Sequence, residues 1–251
     1  MGFLDFLFDK ETKERRRVEK LQKKLTEMWG QQAERNYAAQ ELRGLGTPDA
    51  VRALLSRFEE TCQNHTEDAE EKDFVYSILV DLGRRGETDV VQIITEYLEE
   101  SEENINWPLK VLTDLLSYEE MVDILITLLE SCDIGYRRNP EKKQELMLRA
   151  AEFQDPELAE ELVRFLEDDN ETIRFLAVDA IMAQEEEDIA EEPLRERLRL
   201  EDSLRTIQKI TEIFVDNPGW TIPDDQQEEV DENLPEGFGV HKKGHIYRKR
   251  N

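Results

Sequence analysis

The sequence predicts an all-α protein, an α-α superhelix of about five helical hairpins with extra helices at its ends. Three observations carry that expectation. First, one apolar template, with steps of one, three, one and three residues, recurs along the chain. Ala50, Val51, Leu54, Leu55 and Phe58 define it. Met121, Val122, Leu125, Ile126 and Leu129 repeat it, as do Leu158, Ala159, Leu162, Val163 and Leu166. Val90, Val91, Ile94 and Leu98 follow it with Thr95 off-type, and Ile189, Ala190, Leu194 and Leu198 follow it loosely across Pro193. Second, helix-start chemistry stands directly before the first four copies. Third, another apolar helix precedes each turn. The anchors at 50, 90, 121, 158 and 189 are unevenly spaced, as hairpins joined by loops of unequal length require.

Taken in order, residues 1–34 read as an apolar and basic helical segment that caps the array. Phe3, Leu4, Leu7 and Phe8 share one helix face ahead of Lys13, Arg15, Arg16, Arg17, Lys20, Lys23 and Lys24. An open-ended stack of hairpins exposes its core, so an apolar helix over that end is expected. An apolar face beside a basic run also suits a membrane surface; capping is the preferred reading. Residues 35–216 are the repeat domain. Its first helix carries Ala38, Ala39, Leu42 and Leu45, stops at Gly44-Leu45-Gly46, and hands over to Thr47-Pro48-Asp49. That trio places a capping hydroxyl, a proline at the first helical position and an acid at the positive dipole end.

The second hairpin opens with Val75, Ile78, Leu79 and Leu82, ends at Gly83, and restarts at Thr88-Asp89. The third enters through Trp107-Pro108 with Leu109, Leu112, Leu115 and Leu116, and Ser117 with Glu120 has capping-box spacing. The fourth has Leu146, Met147, Ala150, Ala151 and Phe153 before Asp155-Pro156-Glu157, a carboxylate version of the first turn. The fifth has Ile173, Leu176, Ala177, Ala180 and Ile181. A last helix with Leu204, Ile207, Ile210, Ile213 and Phe214 stops before Asn217-Pro218-Gly219. Residues 217–251 read as an acidic linker and a basic tail, with Lys242-Lys243-Gly244 a tight turn between two short extended segments.

Two of these stretches resemble a known class. "DDNETIRFLAVDAI", Asp168 to Ile181, is similar to the first helix of a HEAT-type repeat of the phycobilisome-lyase-like variety, through Ile173-Arg174, Ala177 and Ala180-Ile181. Ala39, Leu42, Leu45-Gly46 and Pro48-Asp49-Ala50-Val51 resemble the same class. "WPLKVL", "DIGYRRNPEKK" and "LEDDNETIRF" together resemble uncharacterised bacterial HEAT-repeat proteins. The resemblance spans roughly residues 35 to 216 and implies a HEAT-like solenoid; such scaffolds host many roles. It also implies that Arg174 makes an ion pair or hydrogen bond between repeats.

The charge balance narrows the partners. Sixty acids against 33 bases give a formal charge of −27. Met1 to Lys24 has eight bases and five acids, and Phe238 to Asn251 has five bases and no acid, so the middle carries −35. An acidic body repels phosphate backbones and anionic lipid, so no nucleic acid is expected and a membrane is disfavoured. The two cysteines, Cys62 and Cys132, have no paired spacing, and no stretch is apolar enough to span a bilayer. The apolar N-terminus precedes its basic run, the reverse of a secretory signal, and Phe6 stands where a myristoylation signal has Ser or Thr. A cytoplasmic location is expected.

No constellation points to catalysis, and neither a cofactor nor a metal is expected. Cys62, His65, His241 and His245 are zinc-type ligands, but the pairs lie far apart in the chain and read as incidental. Glu185-Glu186-Glu187-Asp188 reads as a solvated turn rather than a calcium loop. Trp29, Trp107 and Trp220 are expected in core or capping packing. The residues left as partner-binding candidates are Tyr136, Arg137, Arg138, Lys142 and Lys143 in one loop and Lys242, Lys243 and Arg248 in the tail. The loop group serves either an acidic partner or the neutralisation of neighbouring carboxylates. The tail docks, binds nucleic acid weakly or hangs free, and docking on the acidic body or on an acidic partner fits the charge balance better than nucleic acid. The expected function is a non-enzymatic scaffold or adaptor for a protein partner, with a basic segment favoured by the acidic body. An accessory subunit or enzyme of lyase or glycosylase type, and a membrane-peripheral adaptor, are the alternatives.

Overall fold

A computed structural model describes residues 3–86 and 88–249, with side chains from residue 12 onward. Among the described residues there are thirteen α-helices and one two-stranded antiparallel sheet, so the protein is all-α. The chain divides into two compact units, Met1–Met121 and Val122–Asn251.

The first unit begins with α1 (Phe3–Leu25), which packs along α2 (Gln32–Leu45) and α3 (Pro48–Leu55) through buried Val18, Leu21 and Leu25. The expected apolar group Phe3, Leu4, Leu7 and Phe8 lies outside the described side chains. Helix α2 ends as its sequence demands: Gly46 takes the left-handed conformation and its N–H closes on Leu42 O at 3.2 Å. Thr47 caps α3 by accepting from Ala50 N, with Pro48 in the first turn. A 3-10 turn, Ser56–Glu59, extends α3 and buries Phe58. Helices α4 (His65–Arg85), α5 (Val90–Glu100) and α6 (Asn106–Leu115) follow, with α4 packed against both α2 and α6. Asn64 caps α4 and Asp89 caps α5.

Gly83 does not end α4, contrary to the sequence expectation. The helix runs on to Arg85 and Gly86 takes the left-handed position. A Cβ on Gly83 would lie 2.5 Å from Leu115 Cδ1, so this glycine is what lets α6 approach α4 closely. Trp107 stacks on Phe58 with centroids 5.9 Å apart, and Lys110 Nζ sits 4.5 Å from the Tyr76 ring and 4.9 Å from Trp107. Trp29, by contrast, is 81% exposed, so the packing role expected of all three tryptophans fails there: it sits in a turn with no apolar face over it.

Helix α7 (Tyr118–Glu130) starts on a closed capping box, with Glu120 N donating to Ser117 Oγ and Ser117 N to Glu120 Oε2. The second unit continues with α8 (Glu141–Ala150), α9 (Pro156–Val163), a 3-10 turn at Arg164–Glu167, α10 (Glu171–Ala183), α11 (Glu187–Leu200) and α12 (Leu204–Asp216). Its core is the predicted one: Leu146, Met147, Leu158, Leu162, Ile173, Ala177, Leu194, Leu198, Ile207, Ile210 and Phe214 are all buried. Asp155 caps α9 from Glu157 N and Leu158 N, and Asn170 caps α10 from Thr172 N. Leu204, counted with the last helix's apolar stripe, is instead exposed at its first position.

Of the residues read as linker and tail, 217–249 are packed structure. Trp220 sets its ring edge-on to Phe214 at 5.2 Å, and Ile222 and Val230 are buried. Helix α13 (Gln227–Asn233) lies on α11, and strands β1 (Phe238–Val240) and β2 (Ile246–Arg248) pair antiparallel, Gly239 opposite Tyr247. The hairpin rests on α12 and α13 through buried Phe238 and Ile246. These few apolar side chains, scattered among acids, are enough to fold a segment whose average composition reads as linker.

Candidate functional site

The candidate loop joins α7 to α8, residues 131–140, and the second unit fastens it from beneath. Arg164, at the end of α9, donates to Leu129 O and to Cys132 O, the latter at 2.7 Å. Lys143 Nζ donates to Asp133 O at 3.1 Å, to Gly135 O at 3.3 Å and to the Asp168 carboxylate. Asp169 closes the other edge: its N–H donates to Ile134 O at 3.0 Å and its carboxylate accepts from Tyr136 N at 2.8 Å. Cys132 is buried, and that burial pushes its thiol up from its ordinary pKa. Asp133 is held below the usual carboxylate range, first by the hydrogen bond from Arg137, which lies 3.0 Å away.

The five loop candidates therefore divide. Tyr136 is 74% exposed and Arg138 is exposed. Arg137 is half-buried and paired with Asp133. Lys142 and Lys143 are buried, Lys143 to 2%, and they are not available to a partner. The reason is register: helix α8 begins at Glu141, and positions 142 and 143 continue inward the stripe of Leu146, Met147 and Ala150. Lys143 thus neutralises Asp168 inside the fold, the internal alternative that the sequence left open for the loop.

The three tail candidates sit elsewhere in the second unit, on the C-terminal hairpin. Lys242 and Lys243 are exposed at its turn, closed by Gly244 N donating to His241 O at 2.7 Å. Gly244 O in turn accepts from Ile222 N at 2.9 Å. Arg248 is exposed, 5.6 Å from the Phe238 ring centroid and 3.9 Å from Glu212.

Sequence reasoning missed the most densely charged interior of the protein, in the first unit. Glu71 on α4 accepts from Arg35 Nε at 2.9 Å and from Arg57 Nε at 3.1 Å. Arg57 also reaches Asp68 at 2.8 Å, Glu60 O at 2.9 Å and Cys62 Sγ at 3.3 Å, and Lys72 pairs with Asp68 at 2.9 Å. Burial opposes ionisation of Asp68, but hydrogen bonds from Arg57, the Cys62 amide and Lys72 outweigh it and hold its carboxyl at about 2. The corresponding feature of the second unit is centred on Arg174. Its guanidinium donates to Glu201 at 2.9 and 2.6 Å, to Asp202 at 2.8 Å and to Asp168 O at 3.0 Å. Arg197 Nε lies 2.9 Å from the same Glu201. The signal for Arg35 was its place: it is the fourth residue of α2, as Arg174 is of α10.

Among the described residues no group of three or more His, Cys, Asp or Glu side chains is arranged to hold a metal ion, and no helix is long and apolar enough to cross a membrane. Compared with protein-family models, curated proteins and solved structures, the chain matches none.

Proposed function

We propose that the protein is a non-enzymatic protein-binding scaffold whose helical hairpins stack as a HEAT-like superhelix, and that the loop between α7 and α8 is its principal contact. The observation that carries this reading is the contrast within ten residues. The loop backbone is tied down by Lys143, Arg164 and Asp169, while Tyr136 and Arg138 stand out in solvent. Loops on a fixed framework carry recognition more often than the framework does. Tyr and Arg are also the residue types that most often dominate interface energetics, and a pre-formed loop loses little entropy on binding.

The partner is a protein segment with a basic surface. With Lys142 and Lys143 buried and Arg137 paired, the loop adds little positive charge. The exposed acids Glu157 and Glu160 of α9 and Glu187, Asp188 and Glu192 of α11 have no ion-pair partner among the described residues. Such a field raises the encounter rate of cations and loses that effect in salt. The deciding experiment is affinity capture with the full chain from its own cells, read by mass spectrometry, beside a Tyr136→Ala/Arg138→Ala variant. Proteins with basic segments that are captured by the parent and lost by the variant are the expected result. Identical captures overturn the role of the loop, and captures dominated by acidic proteins overturn the charge argument.

A further inference from the structure

Helix α1 has two faces with different tasks. Val18, Leu21 and Leu25 turn inward against α2 and α3. Lys13, Arg16, Lys20 and Lys23, at steps of three, four and three, form one stripe on the opposite side, and all four are exposed. Two of the flanking bases are already engaged: Arg15 lies 3.3 Å from Glu19, and Arg17 lies 2.5 Å from Glu41. Arg16, Lys20 and Lys23 have no ion-pair partner among the described residues. In a chain of net charge −27, unspent positive charge on one helix face is the exception.

Two further features flank the stripe. Trp29, in the turn after the helix, is the most exposed large apolar side chain described, at 81%. At the other end, the first two turns of α1 carry Phe3, Leu4, Phe6, Leu7 and Phe8. Basic side chains between aromatic and apolar residues match the interface of an anionic bilayer, where ammonium and guanidinium groups meet headgroups and tryptophan sits at headgroup depth. A nucleic acid would use the bases but gives no use to the apolar flanks. The acidity of the rest of the chain does not forbid this contact, because charges beyond about 10 Å are screened at ordinary ionic strength.

We propose that the outward face of α1 is a docking surface for a membrane rich in anionic phospholipid, and that it holds this acidic protein peripherally at the bilayer. This goes beyond the scaffold reading and does not depend on it. Vesicle sedimentation of the full chain tests it, using phosphatidylcholine vesicles with and without phosphatidylglycerol. The full chain should sediment with the anionic vesicles alone, and less so as salt rises. Each surface base contributes about fivefold to partitioning, so Arg16→Gln/Lys20→Gln/Lys23→Gln should weaken it on the order of a hundredfold. Those side chains are exposed, so the circular dichroism spectrum of the variant should match the parent's.

No sedimentation with anionic vesicles at low salt overturns the proposal. Unchanged binding by the triple variant overturns its assignment to this face. Tighter retention on a DNA duplex than on the vesicles overturns it in favour of nucleic acid. The Tyr136→Ala/Arg138→Ala variant should bind vesicles like the parent, so failure of the loop reading and failure of this one are told apart.

Discussion

The stretches from α2 to α4 and from α8 to α10 are two versions of one design, one in each unit. At a constant offset of 108, Lys143 stands against Arg35, Asp155 against Thr47 and Pro156 against Pro48. Each has an eight-residue second helix followed by a four-residue 3-10 turn, and each next helix is capped by an asparagine, Asn64 or Asn170. The first-helix cation does the same work in both. Arg35 donates to Glu27 O and Gly30 O of the preceding turn and to Glu71 ahead; Lys143 donates to Asp133 O and Gly135 O and to Asp168 ahead. The difference lies at the centre. Arg57 and Phe165 are both completely buried and stand at the same offset, so one position is a guanidinium in the first unit and a phenyl ring in the second. The design folds with either. What a buried charge requires is its partners, and the first unit supplies them in Glu71 and Asp68.

The sharpest way to break this comparison is to remove Arg57. Arg57→Ala leaves Glu71 and Asp68 buried with less compensation, and such losses cost about 3–5 kcal/mol. Trp107, stacked on Phe58, reports on the first unit, and Trp220, against Phe214, on the second. Urea unfolding followed by fluorescence, with Trp107→Phe and Trp220→Phe controls to separate the two signals, should show the first unit losing most of its resistance. Arg174→Ala is the counterpart in the second unit and should cost less, about 2–3 kcal/mol. Glu201 keeps Arg197 and the amides of Asp202 and Ser203, and Asp202 is largely solvated. Equal losses from the two substitutions would mean that the surrounding partners do not set the cost.

The acid response tests the same networks without mutation. Asp68 is held at about 2, and Glu201 is also at about 2, where burial is outweighed by hydrogen bonds from Arg174 and Ser203 N and by the charge of Arg197. In an unfolded chain both carboxylates titrate near 4, so the folded state binds the proton more weakly. Their contribution is therefore complete above about pH 4 and is lost as pH falls through about 2. Urea midpoints measured between these limits should fall in both units. Asp68→Asn should flatten the slope for the first unit while leaving that of the second, and a parallel drop in the variant would remove Asp68 from the account.

Much of this was legible in the sequence because helix signals are local. The Thr47, Asp155 and Ser117 starts and the recurring stripes need only neighbouring residues to be read, and all three starts form. What escaped reading depends on residues distant in sequence or on register. Gly83 looks like a terminator until Leu115 is seen beside it. Lys142 and Lys143 look like loop cations, although their step of four from Leu146 and Met147 already placed them on the buried face. Arg57 gave no local sign, because its acids lie in the next helix.

The smallest test concerns the turns on which the two versions agree most closely. Thr47 accepts one amide, Ala50 N at 3.3 Å, whereas Asp155 accepts two, Glu157 N at 2.9 Å and Leu158 N at 3.1 Å. Asp155 also adds a negative charge at the positive end of α9. In both cases Pro48 or Pro156 fixes the first helical position, so the backbone conformation survives loss of the cap and the substitution reads the side chain alone. Replacing a capping side chain by alanine costs about 0.5–2 kcal/mol. Thr47→Ala should fall at the low end of that range and Asp155→Ala toward the upper end, with the gap between them shrinking in high salt as the dipole term is screened. If the gap persists in salt, the second hydrogen bond and not the charge distinguishes the two caps; if Thr47→Ala costs more, cap chemistry is not what separates the two versions of the turn.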